Sequence, residues 1–397
     1  MRDGNHRPLT AIPTEATVRV RALLAALLLT LSLFAAGSAP TVAADPAAAF
    51  QLPVGLDLHD GSITQAGGTY IAVGTEYACG FQWSVAGTPW CGFGMSTASS
   101  LAGPWSTPTL LFSPTSTDPW SGLTWAHECG DTGQGCFGPK LIQRSGWGQD
   151  DGVWILWLNS PADYSRSHAN GYNAMGCNSD ANGLPTTCGP TAGAPHGSYT
   201  KPSLSVCNTY GDFGFIDPAG GNAPPAIVCT MPSQAGLSIE QLTSNGISGT
   251  GVGAQNLAGL TSVESPGGWY DTASGTYVLT YSDPNCAYCA GAATGYATAT
   301  ILLGPYAAPG NASASLHSGP PATIPAAPRR DASAASCGGQ PRTVSVLDGQ
   351  PYQGIDLWLG TRNETAAGSL FTPLTYTPST ATAGDGGIWQ PEVTFPC

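Results

Sequence analysis

Short strand–turn–strand units recur along this chain, and they limit the folds that it can adopt. In segment 259–284, a turn signal at 271–275 precedes an alternating run at 276–281, which is typical of a strand that follows a hairpin turn. Comparable returning strands are predicted around Tyr70, Trp154, Ile227, Tyr277 and Tyr352. Glycine (53 residues) and proline (34) are abundant, and almost no helical periodicity follows residue 45. The sequence therefore predicts an all-β protein.

An internal repeat supports the view that these units are equivalent. The segment GMSTASSLAGPW (94–105) aligns without a gap on GYATATILLGPY (295–306). Five β-meander units favour a single five-bladed β-propeller spanning 45–397, with a long loop at 168–200 and an irregular connector at 307–336. A two-sheet sandwich is the alternative, but it does not explain why each unit opens with a polar residue ahead of its first strand.

The first 44 residues have the pattern of a signal peptide. Arg19 and Arg21 precede an apolar run at 22–36, and small residues at 42–44 offer a cleavage site. No second apolar run of membrane-spanning length follows, so we expect a secreted, soluble protein. The formal net charge is −13, although the leader itself contributes four arginines. This charge argues against binding to nucleic acid and to anionic membranes.

The twelve cysteines all follow the predicted leader, and an even number in an exported protein indicates disulfides. Pairs that are close in sequence predict short loop staples, above all Cys79–Cys91 and Cys177–Cys188. A metal site at the CxxC of residues 286–289 is the alternative. It is disfavoured because neither a second CxxC nor a pair of histidines at metal spacing accompanies it.

Carboxylates stand ahead of three of the five predicted first strands: Asp60, Asp212 and Glu264. In a propeller the innermost strands surround an axial pocket, so these side chains are expected to converge. Glycoside hydrolysis needs such a set, because one carboxyl group protonates the leaving oxygen while another activates water. The sequence therefore predicts a carbohydrate-cleaving site on the propeller axis.

The same motifs resemble glycoside hydrolase family 43. Asp60 in HDGSI, Asp212 in GDFGFI and Glu264 in VESPGGW are similar to the three carboxylate positions of that family, and the final unit (QPRTVSV followed by IDLW) extends the resemblance over nearly the whole chain after the leader. The resemblance implies a five-bladed propeller acting on arabinose-, xylose- or galactose-containing plant polysaccharides. It also implies that Asp60 is the general base, Asp212 orients and tunes the acid, and Glu264 is the general acid of an inverting reaction.

Three points of the resemblance are open at this stage. Asp217 also imitates a family motif, but Asp212 is preferred because 217–221 has the pattern of a hairpin turn. The final unit and the surroundings of His59 are similar to the exo-acting galactanase branch, which is glycine-rich where this chain has Asp60. Many family members also place a histidine near a central metal, where this chain has 338–342 (GGQPR). No cofactor or metal is therefore predicted, although a structural calcium on the axis stays open.

Other side chains are candidates for contact with a sugar. His59 could contact hydroxyl groups or could be a packed histidine beside the axis, and Arg342 could bind substrate or pair with a carboxylate. Trp83 and Trp269, like other tryptophans predicted to lie in loops, could stack on sugar rings. We expect a monomer with a carbohydrate substrate. The alternative function is a non-catalytic carbohydrate-binding or adhesion propeller, which the presence of three carboxylates disfavours.

Overall fold

The computed structural model describes residues 47–119, 121–148, 151–160, 171–190, 203–209, 211–231, 236–286, 288–308, 331–378 and 391–397. The predicted signal peptide (1–44) and most of the predicted connector (307–336) lie outside the described residues. No helix in the described part of the chain is long and apolar enough to cross a membrane.

Five four-stranded antiparallel sheets form the blades of a propeller, which confirms the predicted fold and excludes the sandwich. The first blade contains β2 (His59–Ala66), β3 (Thr69–Thr75), β4 (Phe93–Ala98) and β5 (Thr109–Phe112). The second contains β6 (Phe137–Gln143), β7 (Trp154–Asn159), β8 (Tyr172–Ser179) and β9 (Pro185–Cys188). The third contains β10 (Phe213–Ile216), β11 (Ala226–Met231), β12 (Gly236–Leu242) and β13 (Gly249–Ala254).

The fourth blade contains β14 (Glu264–Asp271), β15 (Thr276–Asp283), β16 (Ala293–Ala299) and β17 (Asp331–Ser333). The fifth contains β18 (Gln340–Leu347), β19 (Gln350–Leu357), β20 (Gly368–Pro373) and a strand from far upstream, β1 (Phe50–Gln51). A small hairpin, β21 (Thr375–Thr377) and β22 (Glu392–Thr394), a short helix α1 (Trp125–Gly130) and 3-10 turns at Leu257–Gly259 and Ser336–Gly338 complete the described elements.

The first strands of the blades pack side by side around the axis. β2 contacts β6, β10 contacts β14, β14 contacts β18, and β18 returns to contact β2. These contacts are close: a Cβ atom on Gly267 would stand 2.2 Å from the backbone nitrogen of Val344 in the next blade, so only glycine fits there. The predicted inner segments therefore do lie at the centre of the molecule.

The ring is closed by pairing of β1 with β20, where Phe50 lies opposite Phe371. The two rings stack with centroids 5.3 Å apart, and Tyr352 meets Phe50 edge-on at 5.5 Å. The segment before the first predicted strand is thus the outermost strand of the last blade. A two-residue strand carries no periodicity, so sequence patterns could not reveal it.

The hydrophobic core lies between adjacent blades. Along β7, Trp154 and Leu156 face the first blade while Ile155 and Trp157 face the third, and all four are fully buried. Alternation of side chains across the sheet places successive residues on opposite faces, so a strand buried on both faces needs an uninterrupted apolar run. Truncating one of these tryptophans to alanine would cost roughly 3–5 kcal/mol.

One detail of the predicted organisation is wrong. The segment 168–200 is not only a loop, because β8 and β9 of the second blade lie within it. The segment is rich in glycine, asparagine and cysteine, so its pattern does not separate these strands from a loop.

All twelve cysteines are paired, so the predicted disulfide framework is confirmed. Both named staples form, and the CxxC alternative does not hold a metal because its two cysteines are joined. The six bridges are Cys79–Cys91, Cys129–Cys136, Cys177–Cys188, Cys207–Cys229, Cys286–Cys289 and Cys337–Cys397.

Candidate active site

The inner strands begin with a repeated irregularity that aims side chains at the axis. In β2, β6, β14 and β18 the pairing register shifts within the first few residues, as a β-bulge produces. The second residue of three of these strands has a positive φ: 58° at Asp60, 65° at Gly138 and 52° at Ser265. A positive φ is unfavourable for residues with a side chain, although aspartate tolerates it better than most. The backbone is therefore strained at Asp60 and Ser265, whereas Gly138 adopts this conformation without steric cost.

Arg342 lies at the centre of this arrangement and contacts three aspartates. Its Nε donates to Asp356 at 2.7 Å, while the two terminal nitrogens contact Asp60 at 3.1 Å and Asp212 at 3.3 Å. The guanidinium also stands 5.2 Å over the ring of Trp358, a cation–π distance. Its side chain is only 11% exposed. Of the two interpretations of Arg342, the structure shows the carboxylate pairing.

Asp60 is fixed by contacts on both carboxylate oxygens. Oδ2 accepts a hydrogen bond from the backbone N–H of Gly138 at 2.8 Å, and Oδ1 pairs with Arg342. Its own N–H donates to Asp356, and Lys140 donates to its carbonyl oxygen at 3.2 Å. Burial raises the pKa of Asp60 to about 6, although the positive charge of Arg342 opposes the shift. Asp60 is therefore ionised near neutral pH and protonated in mild acid.

Asp212 lies on the other side of the guanidinium, just ahead of β10. Its Oδ2 accepts a hydrogen bond from Ser265 Oγ at 2.6 Å as well as the contact from Arg342. The carbonyl oxygen of the preceding residue is held by Tyr172, whose hydroxyl donates to it at 3.0 Å. Asp217, the other candidate, lies exposed beyond the end of β10 and is not brought into this group. The structure thus places Asp212 and not Asp217 beside the axis.

Glu264 is the first residue of β14, and one oxygen of its carboxyl group accepts hydrogen bonds from two N–H donors. Oε1 accepts from the backbone N–H of Cys286 at 2.6 Å and from Gln340 Nε2 at 2.5 Å. Burial, and next the negative charge of Asp212, raise the pKa of Glu264 to about 8, although the Cys286 N–H opposes the shift. A carboxyl group with this pKa holds its proton at neutral pH.

Aromatic side chains flank the site, and Trp83, but not Trp269, is among them. Trp83 is partly exposed and packs on Tyr288 with centroids 4.8 Å apart, and Tyr288 packs on Trp358 at 4.7 Å. The Tyr288 hydroxyl lies 2.6 Å from that of Tyr77. The prediction that Trp269 lies in a loop and stacks on sugar is wrong. That residue is in β14, 4% exposed, in the core between the fourth and fifth blades.

His59 is a buried histidine packed beside the axis, with 2% of its surface exposed. Its Nε2 lies 3.2 Å from Asp57 Oδ1, and its ring packs near Tyr77 and Trp358. These contacts support the packed interpretation of His59 rather than a contact with sugar hydroxyls.

The residues at the axis do not fit the calcium that the family resemblance left open. Among the described residues there is no cluster of three or more carboxylate, histidine or cysteine ligands arranged around a common point. The Arg342 guanidinium already occupies the space between the three aspartates and contacts each of them within 3.3 Å. Where a histidine was expected, the Gln340 amide donates to Glu264 and to the Cys286 carbonyl and accepts from Trp358.

Four residues of this site were not identified as site residues from the sequence: Asp356, Ser265, Gln340 and Cys286. Asp356 and Gln340 lie inside motifs, IDLW and GGQPR, that entered the family resemblance without a role for either residue. Their contacts join residues as far apart as 296 positions in the chain, which is the separation between Asp60 and Asp356. The rarity of acidic residues inside strands was the one available signal for Asp356.

Comparison with solved structures finds a similar fold in several enzymes, some of them described as members of glycoside hydrolase family 43. No protein-family model and no curated protein sequence matches the chain. The fold is similar to an exo-β-1,3-galactanase from Phanerochaete chrysosporium solved with β-1,3-galactotriose (TM-score 0.55, 15% identity, 82% of this chain and 65% of that chain). It is also similar to a family 43 β-1,3-galactosidase solved with galactodeoxynojirimycin (TM-score 0.55, 14% identity, 85% and 94%).

A third similar structure is an exo-β-1,3-galactanase from Clostridium thermocellum (TM-score 0.53, 14% identity, 86% of this chain and 61% of that chain). This chain spans less than two thirds of the length of the fungal and clostridial enzymes. At these identities the likeness establishes the fold, and the predicted resemblance is confirmed at that level.

Proposed function

We propose that this protein is a secreted, inverting glycoside hydrolase that acts on galactose-, arabinose- or xylose-containing plant polysaccharides or oligosaccharides. The observation that carries the proposal is the contrast between two carboxyl groups. Glu264 has a pKa raised to about 8 and keeps its proton at pH 7, whereas the pKa of Asp60 is about 6, so Asp60 is ionised there. Two carboxyl groups with separated pKa values are suited to act as general acid and general base.

In this mechanism Glu264 protonates the glycosidic oxygen as the bond to the anomeric carbon breaks. Asp60 accepts a proton from the water that attacks the opposite face of the sugar. A small cavity lined in part by Asp60, Asp212 and Arg342 offers polar partners for that water. Inversion requires room for the water, so the two carboxyl groups are expected to stand roughly 6.5–9.5 Å apart across the sugar.

Asp212 has a supporting role in this proposal. Its charge is one cause of the raised pKa of Glu264. Ser265 is the residue that follows the acid and donates to Asp212, which couples the backbone of the acid to its charged neighbour. Disulfides throughout the chain are consistent with the predicted secretion.

The test begins with a panel of galacto-, arabino- and xylo-oligosaccharides, with products identified and their anomeric configuration followed by NMR. The structural neighbours solved with galactose-type ligands make β-1,3-galacto-oligosaccharides the first substrate to try. Glu264→Gln should abolish turnover of substrates with poor leaving groups, while Asp60→Asn should remove activity even with an activated leaving group. Asp217→Asn is the matched control and should retain wild-type rates. Retention of full activity by both Glu264→Gln and Asp60→Asn would overturn the assignment.

One observation favours the second candidate, a non-catalytic carbohydrate-binding propeller. Both carboxylate oxygens of Asp60 are already engaged, by Arg342 and by the Gly138 N–H, which leaves fewer lone pairs for water. Calorimetry with the same oligosaccharides separates the two functions. Saturable binding without product formation on any substrate of the panel would support the binding module.

A further inference from the structure

The carboxyl group of the proposed acid has two chemically different oxygens. Glu264 Oε1 receives two N–H donors, from Cys286 at 2.6 Å and from Gln340 at 2.5 Å, and a carboxyl oxygen has two lone pairs. A proton on Oε1 would therefore point at a donor and find no acceptor. Within the described part of the chain, Oε2 makes no hydrogen bond to protein.

The direction of the Gln340 amide is fixed by its other neighbours. Its Oε1 accepts from the indole N–H of Trp358 at 2.8 Å, and an indole nitrogen can only donate. Its Nε2 also donates to the carbonyl oxygen of Cys286 at 2.7 Å, which can only accept. Rotating the amide by half a turn would place like groups against each other at both contacts. Gln340 is 1% exposed, so water offers no substitute partner.

We infer that Gln340, anchored by Trp358, is a positioning residue that confines the proton of Glu264 to Oε2. This inference rests on the proposed role of Glu264 as general acid. Gln340 does not touch the reacting atoms. It acts by making Oε1 the carbonyl oxygen and Oε2 the hydroxyl oxygen of the acid before any substrate arrives.

The same contacts favour the proton transfer itself. The Oε2–H bond breaks as an O–H bond forms on the glycosidic oxygen, which leaves with the electron pair of its bond to the anomeric carbon. Glu264 becomes a carboxylate, and the negative charge is shared with Oε1. Hydrogen bonds to a charged acceptor are stronger than those to a neutral one, so the Cys286 and Gln340 donors stabilise the charge that develops.

The dependence of kcat/KM on the leaving group distinguishes a positioning role of Gln340 from a merely structural one, because a structural role would affect all substrates equally. Gln340→Met removes both N–H donors and keeps the length of the side chain. We expect kcat/KM to fall roughly 10–100-fold for oligosaccharides and other poor leaving groups, and less than about 3-fold for a dinitrophenyl glycoside, which needs little acid assistance. The high-pH limb of the pH–rate profile should shift to higher pH, because loss of a hydrogen-bond donor to the carboxylate raises the pKa of Glu264 further.

Two further variants keep the test decisive. Gln350→Met is the matched control in the same blade and should behave as wild type. Within the described residues, the Gln350 amide donates to the carbonyl oxygens of Pro351 and Leu374. If Gln340→Met does not fold, Gln340→Glu replaces it. Ionisation of the new carboxyl group beside Glu264 should make the loss on poor leaving groups grow as pH rises.

The outcomes separate this inference from the proposed function. If Glu264→Gln loses turnover of poor leaving groups while Gln340→Met keeps the wild-type leaving-group dependence, the inference is wrong and the proposed acid stands. Equal loss on poor and activated leaving groups in Gln340→Met also overturns the inference, because that result indicates a structural role. If Glu264→Gln itself has no effect on poor leaving groups, the proposed function fails, and the inference fails with it.

Discussion

Removing the charge of Arg342 should destabilise the protein strongly, and more so at alkaline than at acidic pH. Arg342→Met leaves Asp60, Asp212 and Asp356 facing one another without the cation that contacts all three within 3.3 Å. Breaking a buried ion pair by removing one partner costs about 3–5 kcal/mol, because the other charge stays buried and unpaired. At roughly 2 °C per kcal/mol for a large domain, we expect the melting temperature to fall by about 6–10 °C at pH 8.

The dependence on pH follows from the carboxylates. Without the arginine, the aspartates relieve their repulsion by taking up protons, which is easier at pH 5 than at pH 8. The difference in melting temperature between wild type and Arg342→Met should therefore be smaller at pH 5. Adding Asp356→Asn to Arg342→Met should recover part of the loss, since one orphaned charge is removed along with the cation.

Differential scanning calorimetry at both pH values measures these differences. The matched control is Arg362→Met, which removes an exposed arginine whose side chain donates only to the carbonyl oxygen of Ser84. Surface substitutions of this kind usually change stability by less than about 0.5 kcal/mol. A melting temperature of Arg342→Met within about 1 °C of wild type at pH 8, or a loss of melting temperature that does not depend on pH, would refute this prediction.

Three other predictions follow from the same structure. The pKa of Asp60 in the folded protein, about 6, lies above its reference value of 3.8. The contribution of Asp60 to the free energy of unfolding is therefore fully present below pH 3.8 and is lost as pH rises through about 6. Urea unfolding at several pH values should show this decrease, and Asp60→Asn should remove it. Cys286→Ala combined with Cys289→Ala should cost only about 2 kcal/mol of stability, because the closed loop is short. It should also reduce turnover of poor leaving groups, because alanine keeps the backbone N–H at position 286 but the bridge no longer holds that N–H against Glu264. Asn363 is the first residue of an Asn-x-Thr sequon, but its amide donates to the carbonyl oxygens of Tyr77 at 2.9 Å and Phe81 at 2.8 Å. We therefore expect no glycan at this position when the intact mass is measured after expression in a glycosylating host.

Controls for these predictions are available within the chain. Cys177→Ala combined with Cys188→Ala removes a bridge between two outer strands of the second blade and should leave turnover unchanged. The first prediction is contradicted if wild type and Asp60→Asn show the same dependence of stability on pH. The second is contradicted if turnover is unaltered after loss of the Cys286–Cys289 bridge, and the third if Asn363 carries a glycan.

Sequence patterns predicted the inner parts of the blades well, because those strands obey local rules. The returning strands around Tyr70 and Trp154 were recognised from alternation and flanking turns, and the observed strands β3 and β7 contain these residues. Glu264 was placed correctly at the opening of its blade for the same reason. The outer strands β8 and β9 were missed because the segment around them is rich in glycine, asparagine and cysteine, which is typical of a loop.

The interior of the candidate site could be predicted only in part. That three carboxylates lead the inner strands was visible in the sequence. That one arginine is shared among three aspartates was not, because the contacts join separate blades. Trp269 was misassigned because GGW resembles a loop, whereas the bulge after Glu264 turns these glycines into a close contact between neighbouring inner strands. Bulges and positive φ values at non-glycine residues leave little trace in a single sequence.

The pairing of β1 with β20 has a consequence for the order in which the molecule becomes competent. Chains are made and exported from the N-terminus, so the blades that supply Asp60, Asp212 and Glu264 emerge before the last blade. That last blade supplies Arg342, Gln340 and Asp356. Until it inserts between its neighbours and pairs with Phe50 and Gln51, Asp60 and Asp212 lack the arginine that contacts both, and Glu264 lacks the amide donor from Gln340. A nascent or truncated chain therefore lacks the contacts that set the charges of the candidate site, and closing the ring completes them.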